Sequence, residues 1–266
     1  MNEYEKQMLQ LLKRGKAEHG VVAVKAEFEA EGTRVDELLR LLEVARRADV
    51  KVGLKIGGCE AIRDLIECRQ FGVDYIIAPM VETPYALSKY IAARDKVFPA
   101  GEREDMSFLF NVETHATFGQ IEAMGELAGR EKVGMVFGRV DFAGSLGHDR
   151  SFVNSDEMRG YVEKVAAIAR DRGVELVTGG GVSPESIEFL RSVKAVKLDR
   201  FETRKVIFDG GVLDTDQIEA GLSLAIQFEL LWLKNKRDYY LGIGAEDEKR
   251  ISMMEARQQL KVAAAA

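Results

Sequence analysis

The sequence is poor in the residues that mark several protein classes. Two cysteines in 266 residues are too few for a scaffold built on disulfides. Cys59 and Cys68 fall nine positions apart in one predicted helix, too far along its axis to bridge, so both read as buried thiols. The three histidines, His19, His115 and His148, show no HxxxH or HxH spacing, which excludes a zinc set of the usual kind. No GxGxxG or Walker string occurs. There are 4 prolines and no Ser/Gly/Pro-rich linker, so nothing divides the chain into lobes. No uninterrupted apolar stretch approaches the ~18 residues of a membrane span. The opening MNEYEKQMLQLLKRGK lacks the apolar centre of a signal peptide, so a cytoplasmic protein without a membrane partner is expected. A net charge of -6 with pI near 5.4 gives no general attraction to phosphate backbones, which argues against nucleic acid.

What the chain does have is the material of a large core: 46% hydrophobic and 31% charged residues, at a mean hydropathy of -0.14. Its length is close to the ~250 residues of a (β/α)8 barrel. Apolar runs of strand length alternate with amphipathic stretches. The strand candidates are Val21–Phe28, Val52–Ile56, Val73–Ala78, Ser107–Val112, Val133–Phe137, Val174–Thr178, Val193–Leu198 and Lys205–Phe208. Helix starts are signposted by Thr33 with Asp36, Thr83-Pro84 and Ser183-Pro184, the pairings that satisfy or dispense with the first free amides. The expected fold is α/β, a single (β/α)8 TIM barrel with an additional C-terminal helical segment; a doubly wound sheet is the rival. Residues 1–266 are read as one domain, with a barrel core over about 20–234 and an extension over 235–266. Within these, Thr215–Lys234 reads as a helix with Ile218, Leu222, Ala225, Ile226, Leu230 and Leu233 at helical spacing. DYYLGIG reads as a loop and Glu246–Leu260 as a further helix; the Ala263–Ala266 tail is given no role. Apolar Ile251, Met253, Met254 and Leu260 on that segment predict a homo-oligomer, since such surface is rarely left bare.

Alternate residues of a barrel strand face inward. In the first strand Val22, Val24, Ala26 and Phe28 suit the helix layer, leaving Ala23, Lys25, Glu27 and Glu29 inside. In the second, Lys51, Gly53, Lys55 and Gly57 face in; in the fourth, Leu109, Asn111 and Glu113; in the seventh, Ala195, Lys197 and Asp199. Charges so placed are costly unless paired or used. Lys25, Glu27, Lys55, Asn111, Glu113 and Lys197 are therefore candidates for a polar interior near the C-terminal mouth, where barrel enzymes do their chemistry. A buried ion-pair network without catalysis predicts the same burial but no concave site.

Glu113 and Asp141 each end a strand, twenty-eight positions apart, about one βα unit. They could converge on one hard cation, since Mg²⁺ takes one or two protein carboxylates and leaves its other positions to water and substrate. His115 and His148 follow the same strands, as proton carriers or as solvated loop residues. Gly179, Gly180 and Gly181 could admit an anion to backbone amides or make a tight turn.

Several strings between Val52 and Gly147 resemble the HpcH/HpaI aldolase and citrate lyase β-subunit superfamily of phosphoenolpyruvate/pyruvate-type barrels. They are the Lys55 strand with the following EAIRDL, APMVET at 78–83, VET at 112–114 and GRVDFAGSLG at 138–147. The resemblance implies that Glu113 and Asp141 bind Mg²⁺ or Mn²⁺, which holds the carboxylate and keto oxygens of a pyruvate-like group. It also implies that the backbone of Gly138, Arg139 and Val140, up to Asp141, receives the carboxylate. Two departures bear on chemistry: Lys55 stands where the family has arginine, giving a point charge in place of a fork, and Gly138-Arg139-Val140-Asp141-Phe142 stands for a GPxDL-like string. The region before Lys55 is also one βα unit shorter, with the late strand at Lys205–Phe208 closing the barrel.

The expected activity is a divalent-metal-dependent carbon–carbon lyase or aldolase acting on a 2-oxo acid through a pyruvate-type enolate, with an aldehyde or acyl-CoA as the other partner. Lys55, Glu113 and Asp141 are the catalytic candidates; Lys25, Glu27, Gly138, Arg139 and Val140 would bind substrate. The cation acts as Lewis acid, and Lys55 steadies the enolate oxygen or the carboxylate. The acceptor of the aldol proton stays open among a metal-bound hydroxide, His115 and Glu27. Three alternatives stand beside this: a Schiff-base aldolase using an interior lysine among Lys25, Lys55 and Lys197, an acyl-CoA lyase of the citrate lyase type, and a non-catalytic barrel that binds a 2-oxo acid.

Overall fold

The computed structural model describes residues 1–265; the side chains of residues 260–265, Leu260 among them, and the Ala266 end of the alanine tail lie outside the described residues. Eight strands close one barrel in sequence order: β1 (Val21–Glu27), β2 (Lys51–Lys55), β3 (Tyr75–Ala78), β4 (Ser107–Val112), β5 (Gly134–Gly138), β6 (Leu176–Gly179), β7 (Arg200–Glu202) and β8 (Val206–Asp209). The helices are α1 (Glu3–Glu18), α2 (Val35–Ala48), α3 (Ile62–Phe71), α4 (Pro84–Val97), α5 (Ala100–Arg103), α6 (His115–Gly119), α7 (Ile121–Glu131), α8 (Arg139–Ser145), α9 (Asp156–Arg172), α10 (Ile187–Val196) and α11 (Ile218–Ala265). No helix among the described residues is long and apolar enough to cross a membrane.

Seven strands run parallel, but β8 is antiparallel to both β7 and β1. The reason is the three-residue loop 203–205 between β7 and β8, far shorter than the dozen or more residues a parallel crossover needs. The barrel therefore closes through a hairpin.

The seventh strand lies later than its apolar run predicts. Val193 is on α10, where Ile187, Leu190 and Val193 are buried at helical spacing, and a short apolar run does not by itself distinguish helix from strand. Lys197 caps that helix and pairs with Asp199 at 2.8 Å, well outside the barrel interior. The inward residues of β7 are instead Arg200, lying 3.9 Å over the Tyr75 ring, and Glu202. Thr83 caps α4 as expected, accepting from the Ala86 amide. For α2 the cap is Arg34 with Glu37, one residue after Thr33. Cys59 precedes α3 and only Cys68 lies in it; both are free thiols.

The predicted loop at DYYLGIG is absent, because α11 runs unbroken through it for 48 residues, about 72 Å at 1.5 Å per residue. Glu246–Leu260 is thus the far part of one helix. Its barrel end buries Ile218, Leu222, Ala225, Phe228 and Trp232, whereas Ile226, Leu230 and Leu233 face outward at 64%, 50% and 48% exposure. Every described side chain from 241 to 259 is exposed.

Two layers fill the barrel. The lower one is apolar, with Ala23, Tyr75, Ile77, Leu109, Val136, Val177 and Ile207 packed together. The upper one is charged, as strand parity predicts for β1, β2 and β4.

Candidate active site

The upper layer opens into a cavity of about 480 Å³, large enough for a small ligand. Lys25 and Glu27 from β1, Lys55 from β2, Asn111 and Glu113 at β4, Gly138 from β5, Gly179 from β6 and Glu202 from β7 all line it, joined by Val140 and Asp141 of α8. Asp141 lies in the first turn of α8, three residues beyond the end of β5 and not at a strand end as the sequence suggests. Apart from Lys197, which lies outside the barrel, and the two loop histidines, every sequence-derived site residue joins this cavity except for one side chain.

The exception is Arg139. Its guanidinium is fully buried behind α8, donating to the Gly179 and Val153 carbonyls at 3.1 and 3.2 Å and to Asn154 Oδ1 at 2.8 Å. It also sits 4.7 Å over the Phe189 ring. Burial without a carboxylate partner lowers its pKa to about 10. Only its backbone can face a ligand. That backbone is open because of Gly180, whose φ of +80° suits glycine; a Cβ there would lie 2.7 Å from the amide nitrogens of both Arg139 and Val140.

Glu113 is 1% exposed. Its Oε1 accepts from the Met80 amide at 2.8 Å and its Oε2 from Asn111 Nδ2 at 2.6 Å, with Lys55 Nζ 3.5 Å away. Burial raises its pKa despite those three partners, and the neighbouring Asp141 charge adds to the rise. Lys55 also meets Glu29 at 3.2 Å. Its burial favours the neutral amine, but Glu113, Glu29 and Glu27 outweigh this and the pKa is raised. Lys25 behaves alike: burial opposes its charge, yet Glu202 and Glu27 hold the ammonium. Glu27 is pushed up by burial and pulled further down by Lys25, Lys55 and Arg204.

These donors suit a divalent cation. Asp141 is exposed and in no ion pair among the described residues, and its charge already strains Glu113. Along the cavity wall Glu27, Glu29, Glu113, Asp141, Glu202 and Glu229 outnumber Lys25, Lys55, Arg150 and Arg204, an excess of negative charge that a cation offsets. Among the described residues no group of three or more His, Cys, Asp or Glu is placed to hold a metal. An ion here would therefore take two carboxylates and fill its shell with water and substrate oxygens, which is what Mg²⁺ accepts.

His115 and His148 are exposed and away from the cavity; His148 stacks on Phe152 at 4.0 Å. Glu202 is the residue that sequence reasoning missed. Its signal is the alternation Arg200-Phe201-Glu202, overshadowed by the stronger apolar run before it.

Residues 16–194 match the HpcH/HpaI aldolase/citrate lyase family. No curated protein matches the chain. Among solved structures, the HpcH/HpaI aldolase from Desulfitobacterium hafniense DCB-2 superposes with a TM-score of 0.60 at 14% identity, covering 76% of this chain and 83% of its own. A HpcH/HpaI aldolase/citrate lyase family protein from Burkholderia cenocepacia J2315 gives 0.61 at 13% identity, with 90% and 89% covered. A citrate synthase variant, SbnG, gives 0.52 at 14% identity, with 83% and 89% covered. At such identities the likeness establishes the fold.

Proposed function

The chain belongs to the HpcH/HpaI aldolase/citrate lyase family, and from that premise we propose that it is a divalent-metal-dependent carbon–carbon lyase or aldolase acting on a 2-oxo acid through a pyruvate-type enolate. Family and fold indicate an aldolase or lyase enzyme. The observation that carries the finer reading is the convergence of Glu113, Asp141 and Lys55 on one wall of the mouth cavity.

Glu113 and Asp141 would hold Mg²⁺ or Mn²⁺, which when bound supplies Lewis acidity to the two oxygens of the 2-oxo acid. The rest falls to the chain's own groups. The Arg139 and Val140 amides, left open by Gly180, receive the substrate carboxylate. Lys55, held as an ammonium by its carboxylate neighbours, steadies the negative charge that develops on the enolate oxygen. Of the two side chains considered for the aldol proton, only Glu27 lines the cavity, and the cations around it keep it ionised and able to accept. Inactivation by EDTA with rescue by Mg²⁺ or Mn²⁺ is expected; unchanged turnover in EDTA would count decisively against the metal.

A Schiff-base mechanism is disfavoured, because its lysine must shed a proton. Lys25 and Lys55 are both held charged, and Lys197 is outside the barrel. Borohydride trapping with pyruvate should leave no adduct. We further propose that residues 1–266 act as one domain and that the outward face Ile226, Leu230 and Leu233 of α11 is covered by a second copy of the chain.

A further inference from the structure

A second cavity lies outside the barrel, where the starts of α1 and α2 meet the middle of α11. It measures about 260 Å³ and shares no lining residue with the mouth cavity, a size near the lower end of small-ligand sites. From α11 it takes Trp232, Lys236 and Tyr239, which fall on one face of that helix at spacings of four and three. The outward stripe of Ile226, Leu230 and Leu233 is on another face. From α1 and α2 the cavity takes Glu5, Asp36, Glu37 and Arg40.

Its wall thus carries three acids to two cations, and both cations are engaged. Arg40 donates to the two oxygens of Glu5 at 2.8 and 2.6 Å and meets Glu43 with its remaining nitrogen at 2.5 Å. The hydrogen bonds from Arg40 hold the Glu5 carboxyl below the usual range, so it stays ionised. Lys236 stands 4.0 Å from Glu37, which also accepts from the Tyr240 hydroxyl at 2.6 Å. Asp36 is exposed and in no ion pair among the described residues; it is the uncompensated charge of the set. The positive end of the α2 dipole also lies here, and Asp36 and Glu37 in the first turn already offset it. An incoming anion would find no free cation.

Two aromatic side chains complete the argument. Trp232 is 3% exposed and Tyr239 51%, so Tyr239 offers most of the aromatic contact and Trp232 an edge. Rings in this corner already seat cations: Lys205 Nζ lies 5.6 Å from the Trp232 centroid, and the Arg34 guanidinium carbon 4.8 Å from that of Tyr240. Tyr239 has no such cation among the described residues. An aromatic face near an unpaired carboxylate is the combination that holds ammonium groups.

We propose that this cavity is a second ligand site, for a small organic ammonium ion with an apolar body. Its nitrogen faces Asp36 and the Tyr239 ring, and its body packs against Tyr239 and the edge of Trp232. A neutral molecule of the same shape forgoes the charge, and a carboxylate is repelled by Asp36. The site does not depend on the reaction proposed for the mouth.

Trp232 is the only tryptophan in the sequence, so its fluorescence, excited where the probes do not absorb, reports occupancy. The probes are benzylamine, benzyl alcohol and benzoate, titrated into the full chain near neutral pH. Benzylamine should give a saturable change and bind about fivefold or more tightly than either of the others. In Asp36→Asn that preference should fall by about two- to fivefold. Tyr239→Ala should weaken benzylamine and benzyl alcohol alike, by a similar factor. Asp141→Asn, at the mouth, should leave every affinity unchanged. Asp36 and Tyr239 are both exposed, so these variants keep the fold. The absence of a saturable response to benzylamine overturns the proposal, as does equal or tighter binding of benzyl alcohol or benzoate. So does a preference that survives Asp36→Asn intact, or one that is lost in Asp141→Asn, which would put the amine in the mouth cavity instead.

Discussion

Gly138 and Glu113 are fitted to one another: a Cβ on Gly138 would stand 3.0 Å from Glu113 Cβ and 3.3 Å from its Oε2. Glu113 could accommodate that carbon only by shifting a few tenths of an ångström, which would stretch its short bonds to Met80 and Asn111. Gly138→Ala is expected to fold while losing about 10- to 100-fold in divalent affinity or turnover, the scale seen when a group that orients a metal ligand is disturbed. Mn²⁺ titration of the variant checks this, and undiminished affinity would remove Glu113 from the ligand set.

Replacing the two acids themselves should separate activity from stability. Asp141→Ala removes an exposed carboxylate and should melt in denaturant like the parent, yet lose most turnover. Glu113→Ala leaves the Met80 amide and the Asn111 amide group without their acceptor, at about 1–3 kcal/mol in all. Lys55 still has Glu29, so the larger penalty of an uncompensated buried charge does not arise. Two strongly destabilised variants, together with a parent indifferent to Mg²⁺, would mean that these carboxylates serve the barrel and not the reaction.

The elevated pKa of Glu113 gives cation binding a definite pH sign. The carboxylate must be ionised to bind, so affinity falls as pH drops through its folded pKa, which lies above the ordinary glutamate value because of burial. Lys55 is the leading influence pulling it down. In Lys55→Met the acid limb of Mn²⁺ affinity should therefore move to higher pH. The same shift gives Glu113 a stability contribution that is greatest in acid and declines as pH rises through the folded value. A limb that stayed in place would show that Lys55 and Glu113 are not coupled.

Arg139 is expected to be a matter of folding and not of charge recognition. Its fork ties the Gly179 carbonyl to Val153 and Asn154, and lysine cannot make all three contacts. Arg139→Lys should cost about 2–4 kcal/mol, from two or more buried acceptors left short of a donor, as measured by urea denaturation. A variant as stable as the parent would contradict the role given to this side chain.

The outward stripe on α11 predicts self-association. Light scattering of the parent should give a multiple of 29.6 kDa, and Leu230→Glu with Leu233→Glu should lower it, since both positions are about half exposed in the single chain and tolerate charge there. A parent that remains at 29.6 kDa at micromolar concentration would refute the interface.

Much of the site is legible in the sequence because the barrel interior has a strict period of two. Lys25, Glu27, Lys55, Asn111 and Glu113 follow from counting along strands whose apolar partners face the helices. The count fails at β7, where the strand is three residues long, two of them charged, and a helix end supplies the apolar run that looks like a strand. It is also silent on Arg139, since parity reports where a strand residue points and Arg139 begins a helix. The continuity of α11 is hidden for another reason. Gly242 and Gly244 read as punctuation, yet each costs a helix only about 1 kcal/mol, which the turns on either side absorb.

The hairpin between β7 and β8 has a consequence for anything attached to this protein. A parallel eighth strand would end at the mouth, and the helix after it would descend towards the base. Because β8 instead travels downward, α11 climbs, passing Lys205 at Trp232, the start of α1 at Asn235 and the start of α2 at Tyr240. The chain thus leaves the barrel on its chemical side, so a reporter or affinity handle fused to the C-terminus would stand above the entrance, whereas one fused deeper in the chain, at the turn near Gly173 at the base end of α9, would stand clear of it.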